Sequence, residues 1–353
     1  MTNIQDVAKR AGVSVSTVSR VLNGTARVNS NVRTRVEVAI QELQYRPSRA
    51  ARSLRTNYSS IIGLLISDIQ NPFFMDLIQG IEDTALQHGY SLILCNSTEN
   101  VQREQRYIEV LRDERVAGVI IVPTSENQPH LAWFREHHIP IVAVDRRIND
   151  RHVDAVFVDN VFGAHEAVSH LIANGYRRIG AITGPSTITT GRDRLLGYRQ
   201  ALQDANITLD PLLERCGSFK VDSGRFLATE LLASDPPIDA LFVGNNLMTM
   251  GALEAIQAHN LRVPNDIALV GYDEMPWAAL GSISLTTVMQ PVYELGSTAA
   301  RQLFHRLQHP DLQTRQEIIL TPTLCVRGSS VAQKGSSPSN PTTNSAPDQS
   351  PLP

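Results

Sequence analysis

The sequence predicts an α/β fold: a small all-α N-terminal domain followed by two doubly wound parallel-sheet subdomains. Three observations carry this expectation. The first 23 residues show helical apolar spacing around a glycine. From Ile61 onward, short apolar runs alternate with helical patterns. The formal charge is split between these two regions.

In the head, Ile4, Val7, Ala8 and Ala11 recur at i, i+3, i+4 and i+7, the apolar face of a short helix. Asn3 is placed to cap it, and Asp6 adds negative charge to its first turn. Gly12 permits a tight turn and Ser14 can cap a second helix. On that helix Val18, Val21 and Leu22 face inward, while Ser16, Thr17, Ser19 and Arg20 are expected outside. Two short helices, a glycine turn, and hydroxyls with an arginine on the outer face describe a helix-turn-helix that reads DNA. A third helix follows from Val32, Val36, Ala39, Ile40 and Leu43, capped by Asn29 and closed before Pro47. The head is therefore expected to occupy residues 1–46, with its shared core ending near Tyr45.

Residues 1–58 hold ten Lys/Arg against three Asp/Glu, a formal +7, which leaves −10 on the rest of a chain whose net charge is −3. A solvated basic face would give the same count. Its coincidence with the helix-turn-helix favours a polyanion bound by the head and repelled by the body. Residues 47–58 form the linker, in which Ser48–Arg55 is rich in helix formers but only about two turns long, marginal in water on its own. Leu54 stands there among arginines. It belongs either to an ordinary linker touching the next domain or to a hinge helix that forms only on DNA, and the second reading is adopted.

Candidate strands in the body are Ile61–Ile66, Ser91–Leu94, Gly118–Val122, Pro140–Val144, Ala155–Val158, Arg178–Thr183, Ala240–Val243 and Ile267–Val270. Helical patterns lie near Phe74–His88, Gln102–Glu114, Phe162–Asn174, Arg194–Ala205, Ser223–Leu232, Leu247–His259 and Val292–Leu307. Continuous apolar strands separated by helices indicate parallel sheets covered on both faces. There are too many for one compact half. The body, 59–328, is expected to divide near Asp159 into one subdomain of 59–159 plus 291–328 and a second of 160–290. Residues 329–353, rich in Ser, Pro, Asn and Thr, are expected to be a disordered tail.

No apolar run at the start resembles a secretion signal and no stretch is long enough to span a membrane, so a cytoplasmic protein is expected. Cys95, Cys216 and Cys325 lack metal-ligand spacing and read as reduced, mostly packed thiols. Ligands of parallel sheets bind beyond the carboxyl ends of the strands. Those ends offer Asp68, Asn71, Phe73, Asp145, Thr190, Arg192, Arg194, Phe219, Asn245, Asn246 and Asp273, a set suited to a polyhydroxyl or heteroaromatic ligand. An Asp at a strand end also serves as a simple helix cap. No catalytic constellation, metal pattern or glycine-rich phosphate loop is present, so neither enzymatic activity, nor a cofactor, nor a metal is expected.

The runs Ile4–Gly12, Thr17–Gly24, Tyr45–Pro47 and Ala50–Arg55 resemble the LacI/GalR family of bacterial transcriptional regulators. So do Ile62–Leu65, Asn71–Phe74, Gly80–Glu82, Arg115–Ile120, Val263–Pro264 and Gly271–Asp273 in the body. The resemblance covers about Thr2 to Gly328. It implies a body like the periplasmic sugar-binding proteins and a homodimer on a pseudo-palindromic operator. Val15, Ser16 and Arg20 would face base edges, Thr17, Ser19 and Asn23 would hold phosphates, and Leu54 would wedge into the minor groove. It also implies a small effector, a sugar or sugar derivative, held by Phe73, Asp145, Arg194, Phe219, Asn246 and Asp273. Many relatives carry Asn-Asp where this chain has Asn245-Asn246, which removes one acceptor of sugar hydroxyls. The leucine tail that makes tetramers in the family is absent, so a dimer is expected. The expected function is a repressor of carbohydrate uptake or catabolism genes. The alternatives are a nucleobase-responsive, co-repressed regulator of the same family, a cytosolic solute-binding protein, and an α/β enzyme with an accessory DNA module.

Overall fold

The computed structural model describes residues 2–23, 28–45, 59–279, 283–312 and 314–331. The chain falls into two units that divide after Ser60.

The first unit contains α1 (Ile4–Ala11), α2 (Val15–Asn23) and α3 (Ser30–Glu42). Asn3 accepts from the Gln5 and Asp6 amides while the Asp6 carboxylate accepts from the Asn3 amide, a reciprocal cap on α1. Gly12 ends α1 with φ +64°, in the left-handed region. A Cβ there would lie 2.8 Å from Arg35 Nη2, and the Arg35 guanidinium donates to the carbonyls of Ala11 and Gly12. The turn is thus bolted to α3 by an arginine that needs a glycine beneath it. Val7, Ala8, Ala11, Val18, Val36 and Ala39 form the core, with Val21, Leu22, Ile40, Leu43 and Tyr45 packed on it. The hinge segment expected over 47–58, Leu54 included, lies outside the described residues.

The second unit holds two six-stranded sheets. The first has order β11-β5-β4-β3-β1-β2 and the second β12-β10-β9-β8-β6-β7. Strands β1 (Ile61–Ile66), β2 (Ser91–Asn96), β3 (Val119–Ile121), β4 (Ile141–Val144), β5 (Asp154–Val158) and β11 (Glu317–Leu320) pair in parallel. Ile62, Leu64 and Ile66 point to one face, against α4 (Phe73–Gln87) and α11 (Val292–Gln308). Leu65, Val119 and Ile121 point to the other, against α5 (Val101–Asp113) and the short α6 (Ala132–Glu136). The two-residue repeat of a strand buries both faces, which is why these runs read as continuously apolar.

The second sheet contains β6 (Ile179–Thr183), β7 (Glu214–Cys216), β8 (Ala240–Val243), β9 (Ala268–Tyr272), β10 (Thr286–Met289) and β12 (Thr323–Cys325). It is covered by α7 (Asn160–Ala173) and α8 (Thr189–Asp204) on one side, and by α9 (Val221–Leu232) and α10 (Asn246–Ala258) on the other. Only β12 runs antiparallel. The chain crosses between lobes three times, after β5, after β10 and after β11.

Several expectations are corrected. Strands β7, β10, β11 and β12 and helix α6 were not anticipated, and α8 begins at Thr189 rather than Arg194. The boundary at 328 is misplaced: α11 and β11 join the first lobe, but Thr323–Cys325 pairs with β10 in the second. The tail does not begin at 329, because Ser329 and Ser330 are fully buried. Ser329 donates to the Leu269 carbonyl, and Ser330 shares hydrogen bonds with Thr286 and His170. Buried hydroxyls with partners explain how a polar run is ordered. Of the thiols, Cys95 is buried, Cys325 partly so and Cys216 exposed, all free.

The C-terminal return is fastened by Asp154 at the start of β5. Its buried carboxylate accepts from Arg306 and Gln302 on α11 and from the Gln316 amide. Burial alone would raise its pKa, but these donors outweigh it and hold the group below the usual carboxylate range. A depressed folded-state pKa means stability that is present above the ordinary Asp value and lost as pH falls. Asp154→Ala, which strands Arg306, should lower unfolding free energy by about 3 kcal/mol in urea titrations near neutral pH. The gap from wild type should narrow as the pH is lowered below about 4; a gap independent of pH would show that the carboxylate charge is not what fastens α11.

Candidate functional site

In the head, the turn into α2 presents a chain of hydroxyls. Ser14 Oγ lies 2.7 Å from Ser16 Oγ and 2.8 Å from Thr17 Oγ1, and accepts from the Thr17 amide at 3.2 Å. Val15, Ser16 and Arg20 are exposed and Thr17 is partly so. Ser19 is not outside as expected; it is 9% exposed. Asn23 closes α2. The outer face therefore offers small hydroxyls and one long cation at the start of a helix, with no acidic residue in its first turn.

In the body, the strand ends of both lobes meet around a small, nearly filled cavity. The first lobe contributes Asp68, Asn71, Phe73, Glu99, Asp145 and Arg146; the second adds Thr190, Arg194, Phe219, Lys220, Asn245 and Asp273, and Gln290 enters from a crossover. Three of the expected site residues sit in the left-handed region: Asp145 (φ 67°), Phe219 (φ 61°) and Asp273 (φ 71°). None is glycine, so each carries backbone strain, a cost on the order of 1–3 kcal/mol that the surrounding lobe holds in place.

Arg194 is 3% exposed. Its Nε donates to Asn160 Oδ1 at 2.7 Å, its Nη1 to the Gly244 carbonyl at 2.5 Å, and its guanidinium stacks 3.8 Å over the Tyr272 ring. Nη2 stands 4.0 Å from Asp273 Oδ1, which accepts from Gln290 Nε2. Arg146 is clamped by Glu99 through both Nη atoms, at 2.8 and 2.7 Å. Burial would raise the Glu99 pKa, yet Arg146, with Ser67 and Lys220, holds it below the usual range. Among the described residues, Arg146 Nε and Gln290 Oε1 are buried without a hydrogen-bond partner. One is a donor and the other an acceptor, and both belong to the cavity wall.

The lobes are closed on one another. Lys220 pairs with Asp68 across the cleft at 2.5 Å. Asn246 Nδ2 donates to Asn71 Oδ1 at 2.8 Å, and its own oxygen accepts from the Leu247 amide. Asn246 therefore departs from the expected ligand contact: its amide is consumed in a bridge between lobes, and Asn245 lines the cavity instead. Phe73, Asp145, Arg194, Phe219 and Asp273 are brought together as expected. Glu99, Arg146, Lys220 and Gln290 were missed. Glu99 and Arg146 follow anticipated strands, where a longer look past the strand end would have found them; Lys220 and Gln290 follow β7 and β10, which were not anticipated.

Among the described residues no helix is long and apolar enough to cross a membrane, and no cluster of side chains is suited to a metal ion.

Residues 3–48 match the model of "Bacterial regulatory proteins, lacI family", and residues 59–324 that of "Periplasmic binding proteins and sugar binding domain of LacI family". The chain is 39% identical over 330 residues to the ribose operon repressor of Escherichia coli (strain K12), covering 93% of this chain and all of that protein. It is 40% identical over 319 residues to the HTH-type transcriptional repressor PurR of Edwardsiella ictaluri (strain 93-146), covering 89% and 93%. Its fold is similar to the lac repressor dimer bound to operator and the anti-inducer ONPF, with TM-score 0.83, 28% identity and 94% and 99% coverage. A LacI family transcriptional regulator from Enterococcus faecium with bound ribose matches with TM-score 0.70, 28% identity and 78% and 100% coverage.

The Asp145 carboxyl is pushed up to about 6, first by burial and further by Asp273 and Glu99, against the pull of Arg146 and Arg194. Folded protein therefore binds this proton more tightly than unfolded protein between about pH 4 and 6. The group's contribution to stability falls as pH rises through that window and is level above it. Asp145→Asn should remove this slope and raise stability at pH 8 by an amount on the order of 2 kcal/mol, read from urea unfolding at both ends of the window. Parallel pH profiles for the two proteins would place the titration elsewhere.

Proposed function

The chain belongs to the lacI family of bacterial regulatory proteins, and from that membership we propose that it represses carbohydrate uptake or catabolism genes under the control of D-ribose. It is a DNA-binding regulator with a small-molecule effector; the sugar and the genes are the finer reading. It acts in the cytoplasm as a homodimer on operator DNA and catalyses no reaction.

The observation that carries the ribose reading is a pair of buried polar atoms in the cavity wall that make no hydrogen bond. Arg146 Nε, 3.6 Å from Asp145 Oδ2, is a donor and Gln290 Oε1 an acceptor, each on a side chain only 5% exposed. A hydroxyl can satisfy either. Asp145 and Asp273 add acceptors, and Phe73 and Phe219 add apolar surface for a ring face. The cations of the wall already face anions: Arg146 faces Glu99, Lys220 faces Asp68, and Arg194 stands 4.0 Å from Asp273. A neutral sugar fits that balance better than its phosphate ester, whose charge would meet acids with no free cation to answer it. The name of the 39%-identical repressor and the ribose bound to the Enterococcus faecium regulator support the same sugar.

In the head, Val15, Ser16 and Arg20 are the residues placed to face base edges, with Arg20 as the bidentate guanine donor. Thr17 and Asn23 take phosphates.

Calorimetry with D-ribose, D-ribose 5-phosphate, D-glucose and guanine tests the effector. Ribose should bind, the ester should not, and Arg194→Ala or Asp273→Ala should weaken ribose at least tenfold, since each removes a charged hydrogen-bonding partner worth about 1.5–3 kcal/mol. Operator DNA should shift ribose affinity by the same factor as ribose shifts operator affinity. Guanine binding with no heat from ribose would make the nucleobase-responsive reading the correct one.

A further inference from the structure

Helix α8 presents two faces to the first lobe. Thr190 and Arg194, four residues apart, look into the cavity. Thr189, Arg192 and Asp193, spaced i, i+3 and i+4, form the neighbouring stripe at the rim. From this stripe Arg192 Nη1 pairs with Glu126 at 2.8 Å, and Asp193 Oδ2 accepts from Arg147 Nη1 at 3.0 Å. Thr189 Oγ1 accepts from the Arg147 amide at 3.2 Å. Glu126 and Arg147 belong to the first lobe, Arg192 and Asp193 to the second, and none of the four lines the cavity.

The two pairs have opposite polarity. Adjacent residues on α8, one cationic and one anionic, face an anion and a cation across the cleft. Any sliding that brought Arg192 over Arg147, or Asp193 over Glu126, would set like charges together. The partners are also held in advance. The Arg147 guanidinium lies 3.9 Å over the Phe157 ring, and the loop carrying Glu126 is tied down where the Asn149 amide donates to the Glu126 carbonyl.

We infer that Glu126–Arg192 and Arg147–Asp193 form a two-pair clasp whose residues position the lobes in the closed register and thereby set effector affinity without touching the effector. The inference rests on the ribose reading only for its probe. Apparent affinity scales with the fraction of molecules in the binding-competent state, so a weaker clasp reaches the ligand through that fraction. Partly exposed pairs are screened by salt, which gives the clasp a signature that packing lacks: binding of an uncharged sugar should weaken as ionic strength rises.

The test compares wild type, Arg192→Glu, Glu126→Arg, the doubly exchanged protein and the milder Arg192→Gln. Ribose affinity is measured by calorimetry at low and high salt, and Arg147 amide exchange is followed by NMR in ligand-free protein. Each charge reversal should weaken ribose binding by about three- to tenfold, and Arg192→Gln by roughly twofold. Amide exchange at Arg147 should quicken in step. The double exchange should recover both readings, and added salt should weaken ribose binding to wild type. Single variants with wild-type affinity and wild-type exchange overturn the clasp. So does a double exchange that recovers neither while unfolding at the wild-type urea concentration. If ribose does not bind wild type, the effector reading fails, and the exchange rates of the five proteins decide the clasp alone.

Discussion

The guanidinium of Arg194 is the cation around which the second lobe arranges its cavity wall. It comes from α8, reaches Asn160 at the start of α7, the carbonyl that follows β8 and the ring that ends β9, and so joins four elements at one point. A buried guanidinium has several donors to satisfy, and an arrangement that leaves them unmet is expensive. The strand ends are therefore not free to drift: Tyr272 must offer its ring face, Gly244 its carbonyl, and Asp273 must turn back through a left-handed backbone to stand beside the charge. The same logic recurs in the first lobe. Glu99 holds Arg146 by both outer nitrogens, while Nε stands 3.6 Å from Asp145 Oδ2. Two arginines, each fixed by its own lobe, give the cleft its donors in advance of any ligand, and preorganised donors need little rearrangement when one enters.

How much of this was legible in the chain depends on how far each element is buried. The central strands β1, β3, β4, β5, β6, β8 and β9 are covered on both faces, so their apolar runs stand out from the helices between them. The edge strands β11 and β7 leave no such trace. Residues Glu317–Leu320 alternate between exposed and half-buried, and Glu214–Cys216 has no buried side chain, so both look like loops until a neighbouring strand is known. The head was readable for a different reason. Its caps and glycine turn are local chemistry, written within a few residues of the groups they satisfy.

The cavity was legible in its outline and not in its connections. Asp145 and Asp273 stand at strand ends, where the topology alone points, and Arg194 stands in the helix that follows β6. The partners that set their roles come from elsewhere: Lys220 lies 152 residues from Asp68 and Asn246 lies 175 from Asn71. Whether an amide at position 246 meets a ligand or another amide depends on how the two lobes close, a relation that no local pattern contains.

The three crossings between lobes bear on how such a molecule can be recombined. The chain enters the second lobe after β5, returns after β10 and goes back for β12, so neither lobe is a continuous segment. A single exchange of coding sequence between relatives after β5 would split the first lobe's core, and one after β10 would divide both cores at once. The head, by contrast, is a continuous run at one end of the chain, attached through one connection. Modular inheritance is therefore open to the part that reads the nucleic acid and closed to the part that holds the small molecule. New operators can arrive by shuffling whole domains, whereas new effectors must be acquired by point substitution at the strand ends, within lobes that descend together.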